Sequence, residues 1–287
     1  MEIGLKYNIK VVEEVSDIIS TDFWMLEKLS SSMIPVLKDP LKFSSTCSVF
    51  VKKGHASIDI DVMTFQVEAP AIVNIRHSQF FNFSEVSDDF DSSFIVISKR
   101  FCDNLFPLIK ESPAYAIASR EPIVNIPGEL VSRFEDFYKR LSSIFNGPKT
   151  SNSSRALLYS IASFFYEAGT RCYEPLLEKV AKPQTRLQEK FIMLVQENFK
   201  KEKFLDFYAR ELGVTPKHLS RTVKSLTGMT AVEWIDRYVI LEAKVLLKST
   251  NLNIQQIADH LNFQSQSLFG KYFKKHTGLS PKEFRNI

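Results

Sequence analysis

The sequence predicts an α+β fold, with a strand-rich N-terminal part and an all-α C-terminal third. Three observations carry that prediction. Short β-branched and aromatic segments separated by turns run from Thr46 to Ser98. Longer amphipathic stretches follow Lys99. Beyond Tyr208, a two-helix unit occurs twice. At 287 residues, the chain is long for one domain and comfortable for two.

The strand region opens with "CSVFVKKGHASIDID", which reads as a hairpin over Lys53-Gly54. It continues through "MTFQVEA", "AIVNI", "QFFNFSEV" and "SSFIVIS". Several short antiparallel strands suggest a small barrel or sandwich, and a barrel of this size can enclose a small molecule. Phe50, Phe65, Phe81 and Phe83 are candidates for its wall, although aromatics at strand spacing belong to a core first. His55 and His77 stand well apart and read as ordinary histidines, so neither a metal nor a cofactor is expected.

After Lys99 the pattern is helical, in "KRFCDNLFPLIK", "GELVSRFEDFYKRLSSIF" (128–145) and "SRALLYSIASFFYEAGTRCYEPLL" (154–177). The last two are separated by the loop "NGPKTSNSS" and form an αα-hairpin. Its apolar faces (Leu130, Phe134, Phe137, Leu141; Leu158, Ile161, Phe165) pack either on the strands or on a second copy of the chain. "EKVAKPQTR" is polar and contains a proline, which places a linker at 178–184. The expected domains are therefore 1–177, with strands at about 40–98 and helices at about 99–177, and 185–287.

In the repeat, "YARELGVTPKHLSRTVKSLTGMTAVEW" aligns with "IADHLNFQSQSLFGKYFKKHTGLSPKEF". Ala209 falls on Ala258, Leu212 on Leu261 and Gly213 on Asn262. After one inserted residue, Leu219 falls on Phe269, Arg221 on Lys271, Val223 on Phe273, Lys224 on Lys274 and Thr227-Gly228 on Thr277-Gly278. Each copy reads as helix, tight turn, helix. The turn needs a residue that tolerates left-handed backbone, and Gly213 and Asn262 both do. "TAVEWIDRYVILEAKVLLKST" between the copies predicts one long helix, with Val232, Ile235, Val239 and Leu246 on its apolar face. Such a rod fixes the separation of the two units, and a spacing of roughly 34 Å would suit successive major grooves.

Charge is distributed unevenly. From Thr185 onward 17 Lys and Arg face 10 Asp and Glu, whereas residues 1–184 hold 20 against 23. Only the C-terminal third is expected to meet a polyanion.

The segment from Thr185 to Arg285 resembles the DNA-binding domain of the AraC/XylS transcription regulators, through "IQQIADHLNF", "QSLFGKYFKKHTGLSPKEFR" and the duplicated unit with its connecting helix. It departs from the family pattern at Asn262, where most members have Gly, and at Val239, where many have arginine. The resemblance implies a cupin-like sensory barrel at the N-terminus, double-stranded DNA as partner, RNA polymerase and a homodimer as further partners, and an effector or protein partner acting on the barrel. Phe269 and Phe273 belong to the core of the second unit. Gln266, Ser267 and Lys271 lie opposite them, and Lys217, Ser220 and Arg221 are the equivalents in the first unit. Their hydrogen-bonding groups suit base edges, with Arg bidentate to guanine and Gln to adenine. The family places base contacts there too, with Leu268 against a thymine methyl. Lys224, Lys274 and Lys275 suit phosphate, while a solvated surface explains each individual lysine equally well.

Met1–Lys10 carries no apolar run of signal-peptide length, and no segment approaches a membrane span. Cys47, Cys102 and Cys172 are scattered, which suggests a reduced, cytoplasmic protein. The expectation is a bacterial DNA-binding regulator and not an enzyme. Its rival, a cupin-type catalytic barrel fused to a DNA-binding domain, lacks a visible ligand set, nucleophile motif or phosphate loop.

Overall fold

The structure, a computed structural model, describes residues 22–34, 40–42, 45–118, 121–169, 171 and 183–286. The chain divides into two compact units, Met1–Val180 and Ala181–Ile287.

In the first unit, strands β1 (Phe23–Ser30), β2 (Leu41–Lys42), β3 (Ser45–Lys53), β4 (His55–Ile60), β5 (Met63–Glu68), β6 (Ala71–Ile75), β7 (Phe80–Val86) and β8 (Asp91–Ser98) come before helices α1 (Lys99–Ile109) and α2 (Pro113–Ala118). Strand β9 (Ile123–Asn125) and helices α3 (Val131–Asn146) and α4 (Ser153–Phe164) follow. One antiparallel sheet has the order β1-β8-β3-β6-β9 and the other β2-β7-β4-β5. Two strands of the first sheet, β1 and β9, lie outside the stretch 40–98.

Side-chain alternation splits the larger sheet between two cores. Cys47, Val49 and Val51 of β3, Val73 and Ile75 of β6, and Val96 of β8 enter a core shared with the second sheet. Phe50, Ile72 and Ile95 point the other way, into a core with Phe101, Leu105, Phe134, Tyr138, Leu141 and Ile161 of the helices. Phe50 sits 5.8 Å from the Phe134 ring and 5.3 Å from Tyr138. The αα-hairpin therefore packs on the sheet of its own chain.

Two readings of the strands are corrected. Lys53-Gly54 does not close a hairpin, because β3 pairs with β6 and β8 while β4 pairs with β5 and β7. The chain crosses between sheets there. Gly54, at φ 76°, allows the crossing because a Cβ would stand 2.9 Å from Phe90 Cα. The tight hairpin lies one strand later, between β4 and β5, with Asp61 at φ 55°. The second correction concerns the cavity, of about 510 Å³, which lies between the larger sheet and the helices. Phe50, Phe65, Phe81 and Phe83 do not line it; Phe134, Phe137, Tyr138 and Phe164 do.

The last long helical segment is interrupted. Beyond Phe164 the backbone widens into a π-helical turn, Phe165–Gly169, and residues 172–182 lie outside the described residues, as does most of the expected linker. Pro183 and Gln184, assigned to that linker, instead begin helix α5 (Pro183–Asn198), and proline suits a first helical turn.

The second unit is all helix, with α6 (Leu205–Glu211), α7 (Pro216–Thr227), α8 (Ala231–Ser249), α9 (Ile254–His260), α10 (Gln266–Thr277) and α11 (Pro281–Asn286) after α5. Helix α8 runs 19 residues and buries Trp234, Ile235, Tyr238, Val239, Ala243 and Leu247. Val232, expected on that face, is 44% exposed. Val239 is fully buried, so in this chain the position commonly held by arginine serves packing.

Candidate nucleic-acid interface

Helices α6 and α7 form one helix-turn-helix, and α9 and α10 the other. The turns are built alike. Gly213 and Asn262 take left-handed φ values of 66° and 54°. In both, the residue after the turn donates back to an alanine carbonyl, Val214 to Ala209 at 3.0 Å and Phe263 to Ala258 at 2.9 Å. Thr215 Oγ1 accepts from the His218 amide to cap α7, and Ser265 Oγ accepts from the Leu268 amide to cap α10. Both helices end on a left-handed glycine, Gly228 and Gly278. Beyond each, Thr230 with Glu233 and Ser280 with Glu283 form reciprocal caps, which hold both carboxyls below the usual glutamate range.

Leu219 and Val223 are fully buried, as are Phe269 and Phe273, which orients α7 and α10 about their axes. That leaves Lys217, Arg221 and Lys224 exposed on α7, with Ser220 half-buried beside them. On α10, Gln266, Ser267, Leu268, Lys271 and Lys274 are exposed, Leu268 at 47%. The nine side chains fall on two equivalent helix faces. Two more residues share these faces and were not picked from the sequence. His218 is exposed at the position equivalent to Leu268, and Gly270 occupies the position of Ser220. The repeat alignment itself was the signal for both.

The basic residues of this unit separate by what they touch. Lys200 Nζ lies 2.6 Å from the buried Glu242 of α8, and Lys203 donates to the Leu261 carbonyl and lies over the Phe263 ring. Burial lowers the Lys203 pKa. Lys244 and Lys248 lie over the Phe284 ring. Arg285 donates to the Leu247 and Leu252 carbonyls, at 3.2 and 2.6 Å, where α8 ends. Among the described residues no ion pair involves Lys217, Arg221, Lys224, Lys271, Lys274 or Lys275. Six such cations stand on the second helices of the two units, while Lys190, Lys201 and Lys282 are exposed elsewhere in this unit. Among the described residues, no three His, Cys, Asp or Glu stand close enough together to hold a metal.

A family profile described as a helix-turn-helix domain matches residues 208–287, the two units and the helix between them. The HTH-type transcriptional activator AarP of Providencia stuartii is 34% identical over 102 residues, which are 36% of this chain and 76% of that protein. The chain belongs to the AraC/XylS family of DNA-binding transcription regulators. Another of its relatives, the arabinose operon regulatory protein of Escherichia coli, is 34% identical over 77 residues, which are 27% of this chain and 26% of that protein. The sequence likeness to this AraC/XylS relative therefore spans about a quarter of its length. A solved structure of ToxT from Vibrio cholerae resembles the whole fold, with a TM-score of 0.50 and 17% identity over 92% of this chain and 98% of that one. The mixed α+β architecture is thus shared beyond the helix-turn-helix region.

Proposed function

We propose that the chain regulates transcription by presenting α7 and α10 to promoter DNA, and that a small molecule or protein partner bound by its N-terminal unit controls this binding. One observation carries the first half. The cations of α7 and α10 have no internal ion pair, whereas Lys200, Lys203 and Arg285 are engaged inside the fold. Arg221 and Gln266 are the base-reading candidates; Lys224, Lys274 and Lys275 suit phosphate. The cavity of about 510 Å³ supports the second half, since it falls in the size range of small-molecule sites. No helix among the described residues is long and apolar enough to cross a membrane. The reading places the chain in the cytoplasm, without a catalytic step, and makes RNA polymerase and a second copy of the chain its candidate protein partners.

Selection of binding sites from random duplex DNA with the full chain tests it. The selected site should hold two half-sites about one helical turn apart, and affinity should fall steeply with salt. A single half-site, or binding insensitive to salt, would contradict the two-unit reading.

A further inference from the structure

The rod α8 is not the only connection between the two helix-turn-helix units. Residues 200–203, between α5 and α6, touch both of them and the rod. On the side of the first unit, Tyr208 of α6 donates its hydroxyl hydrogen to the Glu202 carbonyl at 2.7 Å, and its ring stands 5.8 Å from Phe191 of α5. Toward the second unit, three side chains span the gap. Asn262 Nδ2 donates to the Lys201 carbonyl at 3.1 Å. Lys203 Nζ donates to the Leu261 carbonyl, lies 3.4 Å from that of Asn262, and stands 4.6 Å from the centre of the Phe263 ring. Lys200 Nζ lies 2.6 Å from Glu242 of the rod and 3.0 Å from His260 Nε2, at the end of α9. Just before this segment, Gln196 Nε2 donates to the Tyr238 hydroxyl of the rod at 3.1 Å, and the Phe199 and Tyr238 rings are 5.7 Å apart.

These contacts act on a geometry that the rod alone leaves open. A rod sets a distance, but each helix-turn-helix leaves it through a short connection, at residues 228–230 and 250–253. Side contacts then decide the angle. Glu242 is buried and keeps its cation, since an unpaired carboxylate in that position is strongly unfavourable. Asn262 adds a tie that its counterpart Gly213 has no side chain to make. Resting on the reading that both units meet DNA at once, we propose that residues 200–203 form a positioning bridge. It holds α10 in register with α7 and so sets the half-site spacing that the chain accepts. One inserted base pair moves a half-site by about 3.4 Å along the duplex and turns it by about 35°. Bridged helices cannot follow that displacement without breaking the contacts of Lys200, Lys203 and Asn262. Helices hinged only at the ends of the rod can follow it.

Titration of the full chain against duplexes with both selected half-sites, at the selected spacing and at one base pair more and one less, tests the proposal. The natural chain should lose at least tenfold in affinity at either shifted spacing. The double variant Lys203→Met, Asn262→Gly keeps an apolar stem beside Phe263 and a residue suited to the left-handed turn, but it loses the hydrogen bonds that cross to the second unit. In it, the loss should shrink to threefold or less. Asn262→Gly alone, which tests the bridge should the double variant unfold, should at least halve the penalty. Affinity for a duplex carrying a single half-site should stay within twofold, with an unchanged salt slope, because a positioning residue touches no DNA. A tenfold penalty that survives in both variants would overturn the proposal and leave the bridge a role in stability alone. So would an equal loss on every duplex with the salt slope reduced by about one unit, which would make Lys203 a phosphate contact. A natural chain indifferent to spacing, with two half-sites still bound more tightly than one, sinks the bridge and spares the two-unit reading. Equal binding to one and two half-sites sinks that reading as well.

Discussion

Tyr272 of α10 donates its hydroxyl hydrogen to Asp236 Oδ1 of α8 at 2.7 Å, which ties the second helix of one unit to the rod joining both. Burial and the neighbouring carboxylate raise the tyrosine pKa far above its usual range, so the phenol stays protonated and remains a donor. His276, one turn along α10, approaches the other carboxylate oxygen at 3.8 Å. In the first unit, the position equivalent to Tyr272 is a buried threonine, Thr222, so this tether is particular to the second unit.

Tyr272→Phe should therefore destabilise the second unit by about 1.5–3 kcal/mol, the usual contribution of a hydrogen bond to a charged group. Thermal unfolding measures the loss. With Asp236 also changed to Asn, the tyrosine substitution should cost less, since the charged partner is gone. Equal costs in both backgrounds would mean that the phenol contributes only its ring packing.

The turn of the second unit gives a different test. Asn262 sits at φ 54°, where a β-branched residue is poorly tolerated. Its side chain also donates from Nδ2 to the Lys201 carbonyl at 3.1 Å, a contact that the turn pattern alone does not reveal. From the sequence, Asn262→Gly would be neutral or stabilising; with this bond lost, it should instead cost up to about 1 kcal/mol. Asn262→Val loses the bond and adds backbone strain, for a total of roughly 2 kcal/mol or more. Denaturant titration of both variants should rank Val below Gly, and the reverse order would remove backbone strain from the account.

These two cases show where sequence reading reached and where it stopped. The repeat was legible because its constraints are local. Thr227 and Thr277 close equivalent helices, each through its hydroxyl to a carbonyl four residues back, and a glycine follows each. Such features occur within one turn of chain. The sheets were legible as strands but not as partners. Lys53-Gly54 looks like a hairpin turn, yet β3 pairs with β8 some forty residues later, and only tertiary packing selects that register. The cavity was out of reach for the same reason. Asn74 is one polar residue in "AIVNI", and its place in the cavity wall depends on the helices that cover that face.

Gly270 lies inside α10, and the fold gives no reason for it. Its φ is not left-handed, and a Cβ there would meet no heavy atom within 4 Å. Glycine in a helix interior costs about 0.5–1 kcal/mol relative to alanine. Gly270→Ala should raise the melting temperature accordingly. The added methyl group falls on the face shared with Ser267, Lys271 and Lys274, so affinity for cognate DNA should drop. Opposite signs in the two measurements identify a position kept bare for close approach of a partner. A gain in stability with unchanged DNA affinity would place that part of α10 away from DNA.

Specificity and adhesion separate within α7. Arg221 and Lys224 are both exposed and less than one helical turn apart, but they differ in chemistry. The planar fork of Arg221 can read O6 and N7 of a guanine together, whereas Lys224 is a point charge in the last turn of the helix. Arg221→Ala should cost about 1–3 kcal/mol on the selected site and little on random duplex, relaxing preference at one base pair. Lys224→Ala should weaken both DNAs alike and reduce the salt slope by about one unit, as expected for one lost phosphate contact. Competition titrations on both DNAs at several salt concentrations yield all four quantities. The discriminating result is the ratio of cognate to random affinity. Arg221→Ala lowers that ratio if the side chain reads a base, and Lys224→Ala leaves it unchanged. Were Arg221→Ala to lower both affinities equally, its guanidinium would be one more phosphate clamp, and sequence reading by the first unit would have to come from Lys217, His218 or Ser220 instead.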